Sequence, residues 1–312
     1  MRGMKITDNR KTLRLRRMEI FSILLLCITL SAGCGSKKAV SDGKKSVIIP
    51  KADRKETFQA EELLVDISHL DQGYMMVQYT GKAQKLFVQL VGPDQTEYKY
   101  FMEPSEDYVT IPLTAGDGEY FLCIYENIGD DQYSPILSQI LSLELKNEFG
   151  PFLCSNQYVN FTMEDETIAW AKELTGDLTD DLEKVQEIYH WVIRNIEYDY
   201  EKAGTVSTGY LPDIDKTLKT RKGICFDYAA MMAAMLRSQG IPAKLEIGYL
   251  TPEIYHSWIS VYLEEIGWVD HLIEFNGTDW ELMDPTVASS SGSQEVKDIA
   301  AEEGNYLVRY VR

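Results

Sequence analysis

Arg221-Lys222-Gly223-Ile224-Cys225-Phe226-Asp227-Tyr228-Ala229-Ala230 opens a run that predicts a helix as far as Ser238, stopped by Gly240 and Pro242. Its apolar stripe is Cys225, Ala229, Met232 and Leu236, at spacings of four, three and four, so this face turns toward a protein interior. A free cysteine on such a face is ordinarily a small buried hydrophobe. The position of Cys225 argues for more. At the first turn of a helix, unpaired N–H groups and the helix dipole favour a thiolate. The same N–H groups can bind an oxyanion. Gly223, just ahead, is expected to let the backbone pass close to a substrate.

Downstream, Tyr255-His256-Ser257-Trp258-Ile259-Ser260-Val261-Tyr262 alternates like a strand. After Gly267-Trp268 and the turn Asn276-Gly277 comes a second such stretch, Trp280-Glu281-Leu282-Met283-Asp284-Pro285-Thr286. His256, Trp258 and Ser260 share one face of the first strand; Trp280, Leu282 and Asp284 share one face of the second. If the strands are neighbours, His256 and Asp284 can sit side by side. The imidazole then takes the thiol proton, and the carboxylate fixes its tautomer and stabilises the imidazolium. Singly, His256 reads as a hydrogen-bonded polar residue and Asp284 as a turn residue before Pro285. Together with Cys225, their order and spacing fit one mechanism. His271, which follows Asp270, is an alternative partner for the thiol, and His190, beside Trp191, a more remote one.

The patterns Gly-Ile-Cys-Phe-Asp-Tyr-Ala from Gly223, Gly-Ile-Pro from Gly240, His-Ser-Trp from His256 and Trp-x-Leu-Met-Asp-Pro-Thr from Trp280 resemble, in this order, the transglutaminase-like superfamily. The stretch from Trp191 to Tyr198 is similar to the helix leading into that family's core. The resemblance runs from about Asn160 to Thr286, 127 residues. It implies a papain-like triad of Cys225, His256 and Asp284, with the cysteine-bearing helix packed on an antiparallel sheet. The acidic calcium-binding loops of the animal enzymes have no counterpart here, so no metal and no cofactor are carried over.

Upstream of this region the period is two. Leu63–Ile67, Tyr74–Tyr79, Leu86–Leu90, Tyr98–Tyr100, Tyr108–Ile111, Tyr120–Tyr125 and Ile136–Leu145 read as strands, separated by turns such as Gly92-Pro93-Asp94 and Gly116-Asp117-Gly118. They predict an antiparallel β-sandwich of immunoglobulin-like architecture over 56–150, either a spacer or a binding module. After Gly150-Pro151 the period changes. Asp165–Thr175 reads as helix, and a longer helix with Asp180 or Asp181 at its N-cap carries the stripe Leu182, Val185, Ile188, Tyr189 and Val192 to about Asn195. Residues 151–312 are thus expected as an α+β catalytic domain.

The N-terminus decides the expected compartment. Arg14, Arg16 and Arg17 precede an apolar run from Ile20 to Leu30, then Ser31-Ala32-Gly33-Cys34. This is the build of a secretory signal, and the run is shorter than the roughly 20 apolar residues of a membrane span. A cysteine directly after Ala32-Gly33 resembles the lipobox of bacterial lipoproteins, with Ser31 where that motif more often has Leu. Residues 1–33 are therefore expected to be a signal peptide, Cys34 the lipidated residue, and 34–55 a flexible tether. Cys123, Cys154 and Cys225 then remain, and three thiols cannot all pair.

The net charge is −18, and without the seven basic and two acidic residues of 1–33 it is −23. Such a surface repels polyphosphates and excludes nucleic acid as a partner. The expected protein is exported and lipid-anchored to the bacterial cell membrane, with a cell-surface protein or peptide as substrate. Through a thioester on Cys225, water would give a peptidase or amidase and a lysine amine a crosslinking acyl transferase. The alternative is a non-catalytic surface protein that keeps the fold for binding or assembly.

Overall fold

The computed structural model describes residues 46–250, 254–270, 273–275, 280–282 and 306–312, all within one unit spanning Lys44–Arg312. Cys34, His271 and Asp284 lie outside the described residues, as do the proposed signal and most of the tether.

The alternating segments form eight strands: β1 (Thr57–Ala60), β2 (Leu63–Asp66), β3 (Tyr74–Tyr79), β4 (Leu86–Val91), β5 (Glu97–Met102), β6 (Ser105–Pro112), β7 (Gly118–Gly129) and β8 (Gln132–Leu143). They make two antiparallel sheets in the orders β1-β2-β3-β6 and β5-β4-β7-β8. Leu86, Val88 and Leu90 of β4 and Tyr98, Tyr100 and Met102 of β5 point inward, against Leu63, Val65, Met75 and Val77 of the other sheet. This shared core makes the pair a sandwich. The Tyr120 hydroxyl donates to the carbonyl of Gly116 at 2.9 Å, the corner found at the start of a sandwich strand in immunoglobulin-like domains.

The expected tether is too long at its C-terminal end. Ile48 bridges Cys154, donating to the carbonyl of Leu153 and accepting from the N–H of Ser155, and Val47 packs on the second core. Residues 54 and 55 donate backbone N–H groups to Asp66 and Ser68. Few apolar residues mark this stretch; backbone pairing fixes it.

The second half begins with α1 (Glu166–Thr175) and α2 (Asp181–Asn195). The Asp180 side chain caps α2 by accepting from Glu183 N–H at 3.0 Å, and Val185, Ile188, Tyr189 and Val192 are buried as expected. There follow β9 (Glu197–Tyr198), α3 (Tyr200–Thr205), α4 (Ile214–Thr220), β10 (Lys222–Gly223) and α5 (Cys225–Ser238). Next come β11 (Ala243–Leu250), β12 (Ile254–Leu263), β13 (Gly267–Val269), β14 (Ile273–Phe275), β15 (Trp280–Leu282) and β16 (Tyr306–Val311). One sheet has the order β13-β12-β11-β16, antiparallel throughout, while β14 and β15 pair with each other.

Helix α5 packs against α1, α2 and α4 and against β11 and β12. Every residue from Asp227 to Arg237 is buried, so the apolar stripe understates its burial: α5 is the centre of the domain. Arg237 near its end has no exposed surface, and its guanidinium donates to the carbonyls of Ala243, Cys154 and Arg312. Burial lowers its pKa to about 10, which leaves it charged at neutral pH. Cys123 and Cys154 are both free thiols.

Candidate active site

The loop before α5 is clamped on both sides. β10 pairs in parallel with β9, Glu197 N–H donates to the carbonyl of Arg221 at 2.8 Å, and Asp199 N–H donates to that of Gly223 at 2.9 Å. Ile224 is extended, at φ −98° and ψ 175°, and the helix starts at Cys225. Cys225 is half-buried, whereas Cys123 and Cys154 are buried.

Asp227, at the third helical position, reaches back to accept the N–H of Ile224 at 2.8 Å, one half of a capping box. Its carboxylate is fully buried and also receives Lys202 Nζ at 2.6 Å and the Tyr210 hydroxyl. Burial, and then the bond to Asp227, push the Tyr210 phenol well above its ordinary range. A Cβ at Gly223 would lie 2.8 Å from the Cβ of Asp227. The glycine thus makes room for the cap, and the expectation that it admits a substrate is replaced by this contact.

A cleft of about 490 Å³ opens beside Cys225. Segment 206–211 lines one side, Ile247, Tyr255 and Ser257 line the sheet side, and Lys99 and Phe101 of β5 belong to the sandwich. β5 is an edge strand, and its carbonyls at Phe101 and Lys99 accept from Gln157 Nε2 at 2.7 Å and the Tyr158 hydroxyl at 3.2 Å. The sandwich is therefore part of the cleft wall and more than a spacer.

His256 is the third residue of β12, paired with Gly248 of β11, and 6% exposed. A Cβ at Gly248 would overlap the carbonyl oxygen of Leu307, so only glycine lets β16 run against β11 there. Tyr255 and Ser257, which flank His256, line the cleft with Cys225. Alternation gives His256 to the other face, with Trp258 and Ser260, as the sequence predicts. That face holds a buried carboxylate that sequence reading missed: Glu246 accepts from Trp258 Nε1 at 2.7 Å and from Ser260 Oγ at 2.8 Å. Burial raises its pKa above the usual carboxylate range. The Trp258 and His256 ring centroids are 6.0 Å apart. His190 is on α2, its ring beside Tyr189, and is not among the described residues lining the cleft. Among the described residues no cluster of three or more His, Cys, Asp or Glu could hold a metal.

Residues 168–271 match the family model of the transglutaminase-like superfamily. This region is a transglutaminase-like domain. A UPF0252 protein of Methanocaldococcus jannaschii is 29% identical over 179 residues, 50% of this chain and 49% of that one. The kyphoscoliosis peptidase of Mus musculus is 33% identical over 107 residues, covering 30% of this chain and 16% of its own. A protein-glutamine gamma-glutamyltransferase of Pseudomonas aeruginosa is 30% identical over 108 residues, covering 30% and 14%. The chain spans about half the length of the first of these relatives and less of the other two.

Proposed function

We propose that the chain is a cysteine acyl-transfer enzyme acting on carboxamide or peptide bonds, with Cys225 as nucleophile, His256 as base and Asp284 as its orienting carboxylate. The observation that carries this reading is the half-buried thiol at the first turn of α5, opening onto a cleft in a transglutaminase-like domain. In the first step Sγ bonds to the substrate carbonyl carbon while the thiol proton passes to His256. The carbonyl electron pair collects on oxygen, facing the N–H donors of the first helical turn. The C–N bond then breaks, the leaving amine takes the proton from His256, and a thioester remains on Cys225. Water converts it to a carboxylic acid, an amine to a new amide, and the thiol is regenerated either way. A peptidase and a glutamyltransferase among the relatives are consistent with both outcomes.

The test needs no natural substrate. Mixed with p-nitrophenyl acetate, the protein should release a burst of about one equivalent of nitrophenolate and carry an acetyl group on Cys225. Cys225→Ala should abolish both. The alternation that places His256 on the face opposite Ser257 favours a second reading, in which the cleft only recognises a ligand. A wild type with no burst and no acetyl adduct supports that second reading.

Export and lipid anchoring at Cys34 belong to the same proposal. Among the described residues no helix is long and apolar enough to cross a membrane. The mature protein should fractionate with membranes, and Cys34→Ser should release it or leave an unprocessed precursor. A membrane-bound, mature but unacylated wild type would remove the lipid anchor from the account.

A further inference from the structure

The two charged residues that line the cleft are already engaged. Lys99 Nζ pairs with Glu97 at 3.2 Å. Arg312 is 2% exposed and donates from Nη1 to the Tyr100 hydroxyl at 2.7 Å and from Nη2 to the carbonyl of Lys99. None of the other described lining residues is charged.

What the cleft presents is apolar. Phe226, next to Cys225, has its ring 5.9 Å from that of Tyr158 and 6.3 Å from that of Tyr210, and all three line the cleft. Val206 and Leu211 line the side formed by 206–211, and Tyr255 lines the sheet side. These three are 37%, 38% and 61% exposed. Single exposed apolar side chains are ordinary on a protein surface, but a set gathered around one concave site marks where an apolar group of a ligand sits. The segment that carries Val206 and Leu211 is held in place. Val206 N–H donates to the carbonyl of Lys202 at 2.8 Å, and the Tyr210 hydroxyl donates to Asp227, the carboxylate that caps the helix of Cys225. This wall is therefore preformed beside the nucleophile.

Resting on the cysteine acyl-transfer reading, we infer that the cleft between segment 206–211 and Tyr255 is a subsite for a large apolar side chain. The acyl donor is then a peptide with an aromatic or branched aliphatic residue at, or just before, the carbonyl attacked by Cys225. A cavity of about 490 Å³ has room for such a side chain and the peptide that bears it. Seated there, it leaves water together with the exposed surface of Val206, Leu211 and Tyr255. An ionised side chain would give up its hydration to a wall that offers no free charge, and is disfavoured.

The probes are N-acetyl-dipeptidyl chloromethyl ketones, which alkylate Cys225 with loss of chloride while presenting a peptide to the cleft. They carry phenylalanine, leucine, glutamate or lysine at one position and glycine at the other, or glycine at both. Rates at Cys225 are read by peptide mass spectrometry in the folded protein, each divided by its rate in urea. In its better position, a phenylalanine or leucine reagent should react about tenfold or more faster than the all-glycine, glutamate and lysine reagents. Leu211→Ser and Val206→Ser, both at exposed positions, should each cut that preference several-fold; if one does not fold, the other decides. Phe121→Ser, equally exposed on β7 and outside the cleft, should leave it intact. Equal corrected rates for all reagents overturn the subsite, as does a preference for glutamate or lysine. So does an apolar preference that survives Leu211→Ser and Val206→Ser, because it then arises elsewhere. A Cys225 that reacts in the folded protein with none of these reagents, nor with iodoacetamide, instead removes the nucleophile and with it the acyl-transfer reading.

Discussion

The carboxylate of Asp227 lies 2.6 Å from the ammonium of Lys202, the former fully buried and the latter with 26% of its side chain exposed. The same carboxylate caps the start of α5 through Ile224 N–H, so one side chain fixes both the helix that begins with Cys225 and the segment that follows α3. Asp227→Ala removes the acceptor of three donors at once and leaves the ammonium without its partner. The expected loss is about 3–5 kcal/mol of folding stability, measured by urea unfolding. Tyr210→Phe should lose about 1 kcal/mol. A loss below 1 kcal/mol for Asp227→Ala would show that the cluster does not hold the helix start.

Glu246 gives a prediction with the opposite sign. Burial favours its protonated form, so the native state holds the proton more tightly than the unfolded chain. Stability from this group is highest below the ordinary value of 4.5 and falls as pH rises toward the raised native value. Glu246→Gln keeps an acceptor for Trp258 and Ser260 without the charge, and should be at least as stable as the wild type at pH 7. Glu246→Leu leaves two buried donors unsatisfied and should lose about 2–4 kcal/mol. Thermal melts at pH 4 and pH 7 separate the two. If Gln is as damaging as Leu, the carboxylate charge itself is needed.

The sequence made the periodic elements readable and left the contacts between them unread. β3, β4, β5 and β7 alternate strongly enough to be found, but β1 has no fully buried residue and so no pattern to detect. α3 and α4 span only six and seven residues, too few for a helical period, although Asp199 and Asp213 do cap them. α5 was legible because Cys225, Ala229, Met232 and Leu236 fall on one stripe from its first turn and Gly240 and Pro242 mark its end. Asp227 carried a readable signal as a third-position cap, yet Lys202 and Tyr210 lie 25 and 17 residues away and reach it only through the fold. The alternation of β12 was read correctly. Which face turns to α5 depends on Ile259 and Val261 packing on the helix, and no spacing shows that.

Alkaline titration tests the buried acids. Burial pushes the Cys154 thiol up to about 12 and the Tyr74 phenol up to about 12. Their protons stay on in the native state and leave earlier in the unfolded chain, so the native state loses stability as pH rises above the unfolded values. From pH 9 upward the thiol alone contributes a loss of about 1.4 kcal/mol per pH unit. Urea midpoints at pH 8, 9.5 and 11 should fall, and Cys154→Ala should delay the onset. Stability that is level from pH 8.5 to 11 would contradict the burial of these groups.

Asp284 is tested by its effect on rate without loss of fold. In the proposed triad Asp284→Asn leaves the imidazole in the wrong tautomer, and turnover of p-nitrophenyl acetate should drop by about 10²–10⁴-fold with the melting temperature kept. Unchanged turnover with a lowered melting temperature would make Asp284 a turn residue before Pro285.

The central claim is that Cys225 is a nucleophile activated by His256, and alkylation by iodoacetamide at pH 6 measures it most directly. Peptide mass spectrometry of the folded protein follows Cys225 against Cys123 and Cys154, both buried in the same molecule. Cys225 should react at least about tenfold faster than either, and faster than it does itself in urea. His256→Ala should remove that advantage at pH 6 and restore reaction only at alkaline pH. A Cys225 that stays unmodified until the protein unfolds, or that reacts like an ordinary thiol whether or not His256 is present, would contradict the account.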